Sequence, residues 1–93
     1  MAYTIKPYSY QKAKLLGVVI KPSTVSGKKI DVFDKKGNKL CSIGDKNYDD
    51  FPTFKIKQGM MVAEQHKKAY HQRHAKDSKV KGSAGWYAAR ILW

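Results

Sequence analysis

The stretch Lys28–Ile43 constrains the fold of this chain more than any other. Ile30 and Val32 alternate with Lys29, Asp31 and Phe33, and Leu40, Cys41 and Ile43 supply a second apolar run. Between the runs stands Asp34-Lys35-Lys36-Gly37-Asn38, with the Gly and Asn that a tight hairpin connection needs. Strand periodicity with a turn at its centre predicts a β-hairpin, strands at Lys28–Asp34 and Lys39–Ile43. A lone hairpin is marginal in water, so the rest of the chain has to cover one of its faces.

Several flanking segments read as that cover. Val18-Val19-Ile20 is β-branched and predicts a short strand ended by Pro22. Met1–Tyr8 is expected to be an arm. Ser9 is placed to cap a short helix over Tyr10–Leu16, with Ala13 and Leu16 on one side and Gly17 as its stop. Gly44–Lys57 reads as irregular but apolar, packed over the core, its acids Asp45, Asp49 and Asp50 pairing with the basic helix that follows. Over Met60–Lys76, Val62, Ala63, His66, Ala69, Tyr70 and Arg73 recur at helical spacing, with Met60 and Met61 filling core gaps. Ser83 is placed to cap a last helix, on which Trp86, Ala89, Arg90 and Trp93 share a face. Ile91-Leu92-Trp93 reads as a plug against the hairpin, because each large apolar side chain left in water forfeits roughly 1.5–3 kcal/mol. The expected fold is α+β: a small antiparallel sheet centred on the hairpin, a short N-terminal helix and two C-terminal helices, in a single domain over residues 1–93.

Charge bounds the partner. Lys and Arg number 19 against 7 Asp and Glu, a formal net charge of +12 on 93 residues. So one-sided a balance opposes compaction and favours an anionic partner: nucleic acid, an acidic protein surface or an anionic membrane surface. A solubility surface is the plainer alternative. Cys41 is the single cysteine, so no internal disulfide forms. It falls in a predicted strand, where a buried, inert thiol is expected. No apolar run approaches the ~20 residues that a membrane span needs. Leu15-Leu16-Gly17-Val18-Val19-Ile20 is too short for a signal core and no cleavage pattern follows it. The expectation is a soluble intracellular product.

Catalytic and metal chemistry find little support. His71 and His74 lie three apart with Cys41 far upstream, which is short of a four-ligand zinc set. Asp45, Asp49 and Asp50 lack the glycine and terminal glutamate of a calcium loop. A Cys41–histidine dyad would need an activated thiol rather than one in a strand. Lys81-Gly82-Ser83-Ala84-Gly85 lacks the spacing and the Gly-Lys-Ser/Thr ending of a phosphate loop, although a helix start with small residues there offers N–H groups to an anion. No catalytic residue, cofactor or metal is assigned. The candidate site is instead a cationic one: Lys67, Lys68, Arg73, Lys76, Lys79 and Lys81, expected to face an anionic partner rather than the core. Lysines on a helix and its exit neutralise phosphates through counterion release, and no base-reading motif accompanies them. Tyr3, Tyr8, Tyr10, Trp86 and Trp93 are aromatics of the kind that protein interfaces favour.

The motifs Gly27-Lys28-Lys29-Ile30-Asp31-Val32, Ile43-Gly44-Asp45 with Tyr48-Asp49-Asp50-Phe51-Pro52-Thr53, Tyr70-His71-Gln72-Arg73-His74-Ala75-Lys76-Asp77 and Lys81-Gly82-Ser83-Ala84-Gly85-Trp86-Tyr87-Ala88, closed by Leu92-Trp93, stand here in order. With them the chain, from about Gln11 to Trp93, resembles a family of small basic proteins of chloroviruses and other large nucleocytoplasmic DNA viruses. It departs from that pattern in having Gln65-His66-Lys67-Lys68 where arginines precede the Tyr-x-x-Arg-His element, and Ala84 where proline is frequent. Lysine acts as a point charge, so the first departure weakens bidentate phosphate recognition by this helix. The resemblance implies a virion component, present in host cytoplasm or nucleus before assembly. It brings no catalytic residues. The function expected is that of a minor capsid or capsid-associated structural protein binding neighbouring coat proteins. The alternative is a sequence-independent DNA-binding protein packaged with the viral genome.

Overall fold

The computed structural model describes residues 3–93, the side chain of Asp77 excepted. The expected hairpin is its centre. Strands β1 (Val19–Pro22), β2 (Lys28–Phe33) and β3 (Lys39–Asp45) form an antiparallel meander in that order. Ile20 pairs with Val32, and Ile30 with Ile43, so their side chains share one face of the sheet. All four are buried. A bulge between Val32 and Phe33 brings the second strand into the turn, where Asp34 accepts from Lys36 N–H and Asn38 N–H, each at 2.9 Å.

Helix α1 (Pro7–Leu16) begins three residues earlier than the sequence suggested. Ser9 does not cap it: Lys6 is the N-cap, and Pro7 opens the helix because its fixed φ already suits the first turn. Nor is the preceding segment a loose arm, for Ile5 is buried and Tyr3 is bonded into the core edge. Met1 and Ala2, the remainder of that expected arm, lie outside the described residues. Gly17 ends α1 at φ +74°, with Val18 N–H reaching Ala13 O and Gly17 N–H reaching Lys14 O, the paired closure that a left-handed glycine permits.

The largest departure is α2 (Phe51–Gln58), in what reads as an irregular loop. Its start is set by Asp50, whose carboxylate accepts from Thr53 N–H at 3.0 Å, and by a proline in the first turn. Gly59 then turns the chain into α3 (Met60–Arg73), three residues shorter than expected. A 3₁₀ turn (Asp77–Lys79) leads to α4 (Ala84–Ile91), which Ser83 caps through Trp86 N–H as predicted. The protein is α+β, as expected, with four α-helices rather than three among the described residues. Met60 and Met61 fill no core gap. They stand at the α2–α3 corner, 46 % and 78 % exposed, since that corner turns away from the sheet.

Helix α4 closes the core. Ile91 and Leu92 are buried beside Ile30, Val32 and Ile43. The carbonyls of a helix end have no partner within the helix; here three other groups supply them. Ser9 Oγ donates to Ile91 O at 3.0 Å, Phe51 N–H to Leu92 O at 3.0 Å and Tyr8 Oη to Trp93 O at 3.0 Å. Trp93 is half-buried, not buried, and does not lie flat on the hairpin. It stacks on Tyr70 of α3 at 4.5 Å between ring centroids, 8° from parallel.

Candidate functional site

Two polar features sit beneath the surface. Lys29 is the one buried lysine among the described residues, 4 % exposed. Its ammonium meets Asp50 Oδ2 at 3.0 Å and also donates to Tyr48 O. Tyr3 Oη donates to the same Asp50 oxygen at 2.6 Å. Burial opposes the Asp50 charge, but hydrogen bonds from Thr53, Tyr3 and Lys29 outweigh it and hold the carboxyl below the usual range. The Tyr3 phenol is pushed far up, by burial first and then by its bond to that carboxylate. Asp31 is the second feature. It gathers Ser23 Oγ and Ser42 Oγ at 2.6 Å each. Burial works against it too, and the two hydroxyls overcome this to bring its pKa to about 2. The acids therefore do not pair with α3 as expected: Asp50 serves Lys29, and Asp49 pairs with Lys57 of α2, 3.4 Å away.

A cleft of about 700 Å³ lies between the sheet and the α2–α3 pair. One wall is a run of rings from α2, α3 and the end of the chain. His66 stacks on Phe54 at 3.8 Å, Trp93 on Tyr70, and His74 on Tyr70 at 4.4 Å. The rings pack on one another, which commits faces that a nucleobase would need for stacking. Lys28, Lys29 and Arg73 line the cleft together with Asp45 and Asp49, so its charges are mixed.

The predicted cations divide. Lys68, Arg73, Lys76, Lys79 and Lys81 are exposed and make no ion pair with described side chains. Lys68 lies on α3, Lys76 and Lys79 on its exit and Lys81 just before α4, whereas Arg73 lines the cleft between the sheet and the α2–α3 pair. Lys67 departs from them. It is half-buried, its ammonium 4.9 Å above the Phe51 ring, because Lys67 and Lys68 point about 100° apart on a 3.6-residue helix. The proposed interface aromatics are mostly engaged inside the molecule. Tyr3 binds Asp50, Tyr8 packs on Phe51 and bonds Trp93, and Trp93 stacks on Tyr70. Trp86 carries the Arg90 guanidinium 4.2 Å over its ring. Tyr10 alone of the five is exposed.

Sequence reading missed Lys12 and Arg90. Both are half-buried and line a small cavity with Lys67 and His71. No local signal marks them, since they come from helices nearly eighty positions apart, and the tertiary packing of α1 on α4 alone joins them. Cys41 is half-buried rather than fully buried. Burial pushes its thiol up and Asp31 adds to this, the opposite of an activated nucleophile. Among the described residues no group of three His, Cys, Asp or Glu side chains has metal-binding geometry, and no helix is long and apolar enough to cross a membrane. No family model, no curated protein and no solved structure matches this chain.

Proposed function

We propose that this protein is a non-catalytic, sequence-independent binder of nucleic-acid phosphate backbones. One observation carries the reading: Lys68, Arg73, Lys76, Lys79 and Lys81 are exposed and form no ion pair with a described side chain. Against 19 Lys and Arg, the described residues make three ion pairs, at Lys29, Lys39 and Lys57. A fold that sets lysines on its surface without fixed carboxylates opposite them is suited to a partner that brings the negative charge. Point-charge lysines suit phosphates read without regard to sequence. Engagement of the aromatics inside the fold removes the main reason for preferring a protein partner.

The test is binding of random duplex DNA by mobility shift across a salt series. The observed constant is expected to fall linearly in log–log, with a slope of about −0.9 per phosphate contact. Lys68→Ala and Lys76→Ala should each reduce that slope by roughly one contact, with base sequence immaterial. Binding that is flat with salt would overturn the reading.

A second reading, a virion structural protein docked on neighbouring coat proteins, has its own observation. Ile56 is 72 % exposed beside Met60 and Met61 at the α2–α3 corner, and adjacent exposed apolar side chains favour a protein contact. In the viral setting that the motif resemblance implies, Met61→Glu should then block incorporation into particles while leaving DNA affinity unchanged.

A further inference from the structure

Most lysines here are exposed; besides Lys29, only Lys6, Lys12 and Lys67 are half-buried among the described residues. Lys29 has Asp50, and Lys6 lies within the field of the same carboxylate. Lys12 and Lys67 form no ion pair among the described side chains. Both line one cavity of about 250 Å³, where α1, α3 and α4 meet, together with Arg90, His71, Ser78 and Trp93. Among the described side chains, no carboxylate lines it. Glu64, the acid of α3, is exposed and shares a neighbouring open cavity with Lys67 and His71, but forms no ion pair with Lys67.

Taking a charge partly out of water without a counter-ion is unfavourable. Ring faces soften this: Lys12 lies 5.6 Å over Tyr8, and Lys67 is placed over Phe51. Arg90 is held firmly in place, Nη1 donating to Ser78 O at 3.1 Å and Trp86 O at 3.2 Å. His71 lies beside the Trp93 main chain. Its pKa is lowered, chiefly by burial and next by Lys67, with Arg90 and Lys12 contributing and the Trp93 main chain opposing. The cavity is several times the ~30 Å³ that a water occupies in the liquid, so a tetrahedral oxyanion enters with some of its hydration.

We propose that this three-helix junction is a built site for a single phosphate group, with Lys12, Lys67 and Arg90 supplying charge and His71 a further donor once it takes up a proton as the oxyanion binds. The shared chemistry is that of a phosphate oxyanion, whether free in solution or part of a nucleic-acid backbone. For the second source the inference deepens the function proposed above and rests on it.

The experiment is a titration of the isotope-labelled full chain with inorganic phosphate, at constant ionic strength held with sodium chloride, followed by NMR of the histidine rings and backbone amides. Saturable shifts confined to the junction are expected, with the His71 pKa rising as phosphate binds. In K12Q/K67Q the affinity should fall about tenfold or more, since charge-assisted bonds are lost. In K35Q/K36Q, which removes equal charge from the hairpin turn, it should be unchanged. Shifts equal to those produced by chloride alone, or equal loss in both double variants, would overturn the site. A duplex-DNA arm on the same variants separates the two claims. Equal weakening by both variants with no phosphate response leaves the polyanion reading standing and removes the pocket. A phosphate response without DNA binding keeps the pocket and removes the polyanion reading.

Discussion

Asp50 holds three parts of this fold together. It caps α2 and is the counter-ion of buried Lys29, and it accepts from Tyr3. Asp50→Ala leaves a buried ammonium unpaired, a change worth about 3–5 kcal/mol, and lowers Tm by well over ten degrees in a domain of this size. Lys29→Met combined with Asp50→Asn should recover most of that loss in thermal denaturation, because asparagine keeps the cap and no charge is stranded. Neither role was legible beforehand. Asp50 reads as one of three acids in a loop, and its partner stands 21 positions away on a strand, where alternation marks Lys29 as a solvent residue. Acid should act through the same carboxylates. The pKa of Asp31 falls to about 2 in the folded state, from about 3.9 unfolded. Its contribution is complete above pH 4 and is lost as pH falls through 2. Asp31→Asn should flatten the stability profile over that window in acid titrations monitored by circular dichroism.

Among the elements, the hairpin was legible and α2 was not, for opposite reasons. Ile30 and Val32 announce a strand by alternation, and Gly37 with Asn38 announces the turn. Ile56 and the lysines of α2 give no apolar stripe; the helix depends on its cap and its packing against α3. Gly44 in β3 shows how tightly the sheet meets α4. It sits at φ +81°, and a Cβ there would fall 2.8 Å from Leu92 Cδ1 and 3.0 Å from Lys29 Cβ. Gly44→Ala combines an unfavourable backbone conformation with overpacking, and should cost about 2–4 kcal/mol in chemical denaturation. Gly37→Ala, with open space around it, serves as the comparison that isolates the backbone part. The cationic face was legible one lysine at a time. The phosphate pocket was not, because half of it belongs to α1 and α4.

At the scale of the whole molecule, a net charge of +12 is held together by a small core and by the ties around the end of α4. Removing Ile91, Leu92 and Trp93 deletes two buried side chains and three accepted carbonyls. Each buried large residue costs about 2–5 kcal/mol, against a total stability of 5–15 kcal/mol that is typical of such domains. The shortened chain should therefore show no cooperative melting transition. Ser9→Ala, which strands only the Ile91 carbonyl, should keep the transition and lose about 1–3 kcal/mol. The bonds from Tyr8 and Ser9 to Trp93 and Ile91 join positions 85 and 82 apart, and loop closure over such distances is the slow part of folding. On the ribosome, the meander can pair as soon as it emerges, whereas this clasp waits until Trp93 has left the exit tunnel. Until then Lys12, Lys67 and Arg90 are not gathered at all, so a nascent chain held beside ribosomal RNA carries scattered lysines but no finished pocket with which to grip it.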